Sequence, residues 1–157
     1  MTELRELRTQ NKLSQRQAAE QLGVSLRSYV TYENDERLVM TPKYRYLLRE
    51  MQDLYRLDEE HGVLSVEDIR AICGQIFPLY QVEYAFLFGS YAKGTAREES
   101  DVDLLVSVPA LGLQFYELAE RLREKLHKRV DLLGLEQLTG NRELLSEVLK
   151  EGIRIYG

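Results

Sequence analysis

The run Asp101-Val102-Asp103-Leu104-Leu105-Val106 sets two carboxylates into an otherwise apolar segment. Residues two apart in a strand share a face, so both acids point the same way. Neighbouring carboxylates repel, and both stay ionised only where a cation offsets the repulsion. Hard oxygen ligands of this kind suit Mg²⁺ or Mn²⁺. A third acid, Asp131, lies in Arg129-Val130-Asp131-Leu132-Leu133, another apolar run with strand character. If the two strands are neighbours, Asp101, Asp103 and Asp131 converge. Three acids can hold two metals and clamp an in-line displacement at phosphorus. Unpaired charge in an apolar strand is costly, which weighs against an incidental placement.

Upstream stands Phe88-Gly89-Ser90-Tyr91-Ala92-Lys93-Gly94. Gly89 and Gly94 allow close backbone approach, and a helix beginning near Ser90 directs N–H groups at an anion. The Ser90 hydroxyl can donate to a phosphate oxygen, and Lys93 and Arg97 can neutralise charge. Turn and acids together would set a triphosphate beside two metals. Around them the pattern alternates: a helix capped by Ser65, a strand over 83–88, a strand over 101–108 closed by Pro109, and an amphipathic helix marked by Phe115, Leu118, Ala119, Leu122 and Leu126. Strand 129–135, helix 142–150 and a short strand 153–156 complete an α/β layer of about 95 residues. Cys73 falls on the apolar side of its helix and reads as core.

The first part of the chain reads as short helices. Ser14-Gln15-Arg16-Gln17 is a capping-box pattern, and Gly23 supplies the left-handed residue that ends the helix it opens. Ser25 caps a third helix, and Thr41-Pro42 opens a fourth carrying Tyr44, Leu47, Leu48, Met51, Leu54 and Tyr55. Two short helices joined by Gly23-Val24-Ser25, with the small Ala18 at their crossing, fit a helix-turn-helix. Val24, Tyr29 and Leu22 are expected in its core. The stretch Asp58-Glu59-Glu60-His61-Gly62 reads as a linker or helix end.

The chain of 157 residues carries a formal charge of −5, which argues against coating nucleic acid by bulk electrostatics. Split by position, residues 1–49 hold 9 basic and 6 acidic side chains, and the acid excess lies beyond them. One cysteine excludes a disulfide framework, and two histidines leave little for a His-rich metal site. No apolar run approaches the ~20 residues that span a bilayer, and the N-terminus lacks the apolar region of a secretory signal. The expectation is a soluble cytoplasmic protein with no membrane partner.

Gly89-Ser90, ten residues, Asp101-x-Asp103 and the later Asp131 resemble the nucleotidyltransferase fold of the DNA polymerase β superfamily, and most closely its minimal nucleotidyltransferases, over roughly residues 64–157. Lys93 stands where arginine is frequent in that family. Residues 1 to about 57, through Leu13-Ser14-Gln15, Ala18, Leu22-Gly23-Val24-Ser25, Tyr29 and Glu33, resemble the Cro/C1-type helix-turn-helix. The two resemblances imply an α+β chain: an all-α helix-turn-helix domain over 1–60, and an α/β nucleotidyltransferase domain with a small mixed sheet over 64–157.

The first resemblance implies metal-dependent transfer of a nucleoside monophosphate from NTP to a hydroxyl. Asp101 and Asp103 would bind two Mg²⁺ (or Mn²⁺) ions, and Asp131 would hold the catalytic one and help deprotonate the hydroxyl. Gly89 and Ser90 would hold the β/γ-phosphates, with Lys93 and Gly94 beside them. Proteins similar to this act as antitoxins that move AMP from ATP to a tyrosine of a HEPN-type ribonuclease toxin. The second resemblance implies operator DNA as a partner and repression of the shared operon. The helix after Ser25 would read the major groove with Leu26, Arg27, Ser28 and Thr31, Arg27 on guanine, while Gln15 and Arg16 bind phosphate. A homodimer, or a hetero-oligomer with the toxin, is the family expectation. Two alternatives are a transcription regulator whose second domain only senses nucleotide or a partner, and a small-molecule transferase of the aminoglycoside-modifying kind. The three acids argue against the first. The lack of an extra substrate domain argues against the second.

Overall fold

The computed structural model describes residues 1–157, which form two compact units, Met1–Arg56 and Leu57–Gly157. No helix is long and apolar enough to cross a membrane.

The first unit is all helix: α1 (Glu3–Gln10), α2 (Gln15–Gln21), α3 (Leu26–Asn34) and α4 (Pro42–Leu54). Each begins where the sequence offers a cap. The hydroxyls of Thr2, Ser14, Ser25 and Thr41 accept first-turn N–H groups, and Gln17 closes the box at Ser14. Gly23 has φ of +67°, with open space where a side chain would go, so the turn between α2 and α3 needs it for its backbone angle. Ala18 and Ala19 let the two helices cross closely over a core of Leu4, Tyr29, Tyr44, Leu47 and Met51. Leu22 and Val24 pack against that core.

A charge lies inside this unit. Glu33, on α3, is buried, and its carboxylate accepts from Arg8 Nε at 2.6 Å, Arg8 Nη2 at 3.1 Å and Gln15 Nε2 at 2.9 Å. Arg8 also donates to the Leu13 carbonyl at 2.7 Å. Three helices and the α1–α2 turn are thereby joined through one carboxylate. The bidentate geometry is what lets a buried ion pair offset its desolvation.

The second unit contains α5 (Val66–Ile76), β1 (Ala85–Phe88), α6 (Gly89–Lys93), β2 (Val102–Val106), α7 (Gly112–Leu126), β3 (Val130–Gly134), α8 (Arg142–Glu151) and β4 (Ile153–Tyr156). The strand order is β3-β2-β1-β4, with β2 and β3 parallel and β1 antiparallel to both β2 and β4. The helix α7 makes the crossover that a parallel pair requires. Period two divides β2 between two cores. Val102, Leu104 and Val106 face Ile69, Cys73, Leu118, Leu122 and Leu126, whereas Leu105 joins Phe88 and Val148 on the α8 side. Asp103 belongs to that second face. Cys73 is buried and its thiol is pushed up to about 12 by desolvation, so it is core and not a nucleophile. The Asp58–His61 segment, expected as a linker or helix end, is a closed turn of this unit, with Asp58 N bonded to His61 O at 3.0 Å.

Burial pushes the Glu33 carboxyl up, but the hydrogen bonds from Arg8 and Gln15 win and hold it below its ordinary 4.5. A depressed folded-state pKa contributes stability above the ordinary value and loses it as pH falls through the folded one. Arg8→Ala, which strands the buried carboxylate, is expected to destabilise the first unit by about 3 kcal/mol at neutral pH. Urea unfolding followed by circular dichroism measures this. In Glu33→Gln the acid-side loss of stability is expected to shrink.

Candidate active site

The sheet register brings two of the sequence-identified acids side by side. Asp103, at the start of the central strand β2, pairs in register with Asp131 on β3 and with Phe88 on β1. Asp101 precedes β2 by one residue, on the same face. Immediately after Phe88 the chain turns into α6 through Gly89, whose φ is +70°. A Cβ at Gly89 would overlap the Asp103 carboxylate oxygen Oδ2. Glycine is therefore required twice, for the backbone angle and for the space that the carboxylate fills.

The first turn of α6 has no side-chain cap, which leaves its leading N–H groups free to meet an anion. Gly94, with φ of +74°, ends the helix and donates to the Ser90 carbonyl. Gly89 and Ser90 are half-buried, and Lys93 and Gly94 are exposed.

Burial of Asp103 and the like charges of Asp131, Asp101 and Glu147 push its carboxyl from 3.8 to about 6, with Lys93 pulling the other way. This is the response of a desolvated acid among acids, and a bound cation would relieve it. No group of three His, Cys, Asp or Glu side chains is closed into a metal cage. The donor chemistry fits a hard divalent cation, and the carboxylates that would hold it are partly engaged elsewhere. Asp101 Oδ1 accepts from Arg129 Nε at 3.1 Å, and Lys93 Nζ lies 2.9 Å from Glu147 and 3.9 Å from Glu151 on α8. These pairs are between a third and a half exposed, where an ion pair contributes about 1 kcal/mol or less.

Glu147, Arg129 and the buried Lys128 were not singled out by sequence reasoning. The helical spacing of α8 marks only its apolar side, and Glu147 reads as solvated until the fold sets α8 against β1 and α6. In the first unit, Arg16, Leu26, Arg27 and Thr31 are exposed, Ser28 is half-buried, and Gln15 spends its amide N–H on Glu33.

A raised folded-state pKa works against the fold. Stability is full below the ordinary carboxylate value and is lost as pH rises through about 6. Asp103→Asn is therefore expected to stabilise the metal-free chain at pH 8 by on the order of 1 kcal/mol after solvent screening, seen as a higher melting point. The gain is expected to vanish near pH 4, well below the folded-state value. Thermal unfolding at the two pH values measures both.

Residues 67–157 match the family described as polymerase beta, nucleotidyltransferase, and residues 3–67 match a helix-turn-helix domain family. The chain is 35% identical over 101 residues to the protein adenylyltransferase MntA of Thermococcus cleftensis, covering 60% of this chain and 99% of that protein. It is 30% identical over 79 residues to the protein adenylyltransferase MntA of Shewanella oneidensis, covering 49% and 55% of the two chains. A solved toxin–antitoxin complex with AMP-PNP includes a chain that is 28% identical and superposes with a TM-score of 0.46, over 60% of this chain and 74% of that one. With a family match over more than half its length, the chain is a nucleotidyltransferase of the polymerase β family carrying an N-terminal helix-turn-helix domain.

Proposed function

We propose that this nucleotidyltransferase moves AMP from ATP to a hydroxyl of a partner protein, and that the partner is a HEPN-type toxin silenced by the modification. The observation that carries the reading is the Gly89-Ser90 turn opening α6 directly against the Asp103–Asp131 pair. The α6 N–H groups and the Ser90 hydroxyl would receive the outer phosphates, with Lys93 exchanging Glu147 for phosphate. Asp101 and Asp103, with Asp131 beside them, would hold two Mg²⁺ or Mn²⁺ ions. Ions bound there would neutralise phosphate charge and make the hydroxyl more acidic.

The acceptor oxygen bonds to the α-phosphorus, the bond from that phosphorus to the bridging oxygen of the β-phosphate breaks, and pyrophosphate departs. Asp131, exposed on the edge strand and paired in register with Asp103, would help take the hydroxyl proton. A protein acceptor is supported by the similarity to chains named protein adenylyltransferase.

The helix-turn-helix unit would repress the operon encoding the pair, with α3 in the major groove. Arg27, exposed on α3, has the fork that reads guanine.

Incubation with α-labelled ATP, Mg²⁺ and the product of the adjacent gene is expected to label that protein. The label is expected to disappear with Asp101→Ala plus Asp103→Ala. Retained nucleotide binding without transfer to any protein would contradict the reading. In a gel shift on the chain's own promoter, Arg27→Ala is expected to weaken binding about tenfold. Failure of the unmodified chain to shift DNA at low salt would remove the repressor role.

A further inference from the structure

Lys128 lies between α7 and β3 and has no exposed surface at all. A lysine ammonium carries three N–H donors and accepts nothing. Here its Nζ meets three backbone carbonyls: Asp58 O at 2.6 Å, Glu98 O at 2.6 Å and His61 O at 3.1 Å. Each donor finds an acceptor, which is how a buried cation is tolerated away from a carboxylate. The chain reaches this position through His127, whose φ of +56° ends α7 and turns the following residue inward.

The carbonyls come from two segments. Asp58 and His61 bracket the closed turn, which Asp58 Oδ1 stiffens by accepting from Glu60 N at 2.9 Å. Glu98 lies in the loop between α6 and β2 that ends at Asp101. The same loop is held again at Gly62 N, which donates to Glu98 Oε1 at 3.1 Å, and at Val102 N, which donates to Arg129 O at 2.9 Å. Arg129 reaches Glu99 O at 3.4 Å as well as Asp101. The backbone leading into the first carboxylate of the Asp-x-Asp pair is thus fastened from beneath by Lys128 and along its edge by the start of β3.

We propose that Lys128 is a positioning residue for Asp101: its ammonium cage fixes the Glu98–Asp101 segment, so that Asp101 stands ready for a divalent cation before that cation arrives. Lys128 touches neither nucleotide nor metal and acts only through the loop. Without the cage the loop must be ordered at the expense of metal binding, and the apparent metal affinity falls. Supports of this indirect kind typically change metal affinity by about ten- to a hundredfold. The inference rests on Asp101 and Asp103 being the metal-holding pair.

The test is Mn²⁺ binding to the full chain, read by electron paramagnetic resonance, beside the metal dependence of nucleotidyl transfer. Lys128→Met keeps the length of the side chain and removes the donors. It is expected to weaken Mn²⁺ binding about tenfold and to raise the metal concentration for half-maximal transfer by the same factor, while the rate at saturating metal is largely recovered. A purely structural loss would lower the saturating rate and leave the metal requirement in place, and that result would overturn the proposal. Wild-type Mn²⁺ affinity in Lys128→Met would also overturn it. Asp101→Asn is the control. Should it bind Mn²⁺ like the unmodified chain, the site reading itself fails, which is a separate outcome.

A second measurement does not depend on the variant folding. Hydrogen exchange on the unmodified chain is expected to show the 97–103 segment protected without metal, and about equally with Mn²⁺. A segment that exchanges freely until metal is added would contradict the preordering.

Discussion

One carboxylate constrains the catalytic unit more than any other group. Asp103 is the second residue of β2, has Asp131 as its neighbour in register, and fills the space that a side chain at residue 89 would need. Its surroundings favour the protonated form, with burial the largest cause and the nearby acids next. Such a group is a liability to a resting fold and an asset to one that recruits a divalent cation. The surrounding structure works to keep it in place. Leu105 and Phe88 anchor its face of the sheet, and Gly89 lets α6 begin close enough to bring N–H groups to the same spot.

The charged groups of the two units, each taken by itself, fall into two classes. Arg129 with Asp101, and Lys93 with Glu147, are half-exposed pairs that contribute little and can exchange partners. Lys128 and the Arg8–Glu33 pair are enclosed, with their donors matched to acceptors. Removing one member of such a set leaves buried polar groups unsatisfied, so these define the frame and not the chemistry. The exposed pairs lie at the candidate site and are loosely held, whereas the enclosed groups hold backbone and are not.

Much of this was legible in the sequence, because the informative signals were local. Caps at Ser14, Ser25, Thr41 and Ser65, the apolar spacing of α7, and alternating runs at β2 and β3 each depend on a few adjacent residues, and each element formed where they sit. The glycine at 89 and the acids at 101, 103 and 131 marked the candidate site for the same reason. What escaped is long-range. Lys128 follows a helix in a His-Lys-Arg run, and nothing near it in sequence tells that carbonyls 30 and 70 residues away converge on it. Glu147 looked like any exposed helical acid until α8 packed beside β1. Asp58–His61 had the composition of a linker, and its carbonyls became structural only because a buried cation required them.

The claim on which the account turns is that Asp103 is an acid held ready for a cation. Carboxyl carbon NMR on the labelled chain, titrated with and without Mg²⁺, measures it directly. The account predicts that Asp103 titrates near about 6 in the metal-free chain, and that added Mg²⁺ shifts the titration well below the ordinary carboxylate value. An Asp103 that titrates like a surface aspartate, with no response to Mg²⁺, would contradict it.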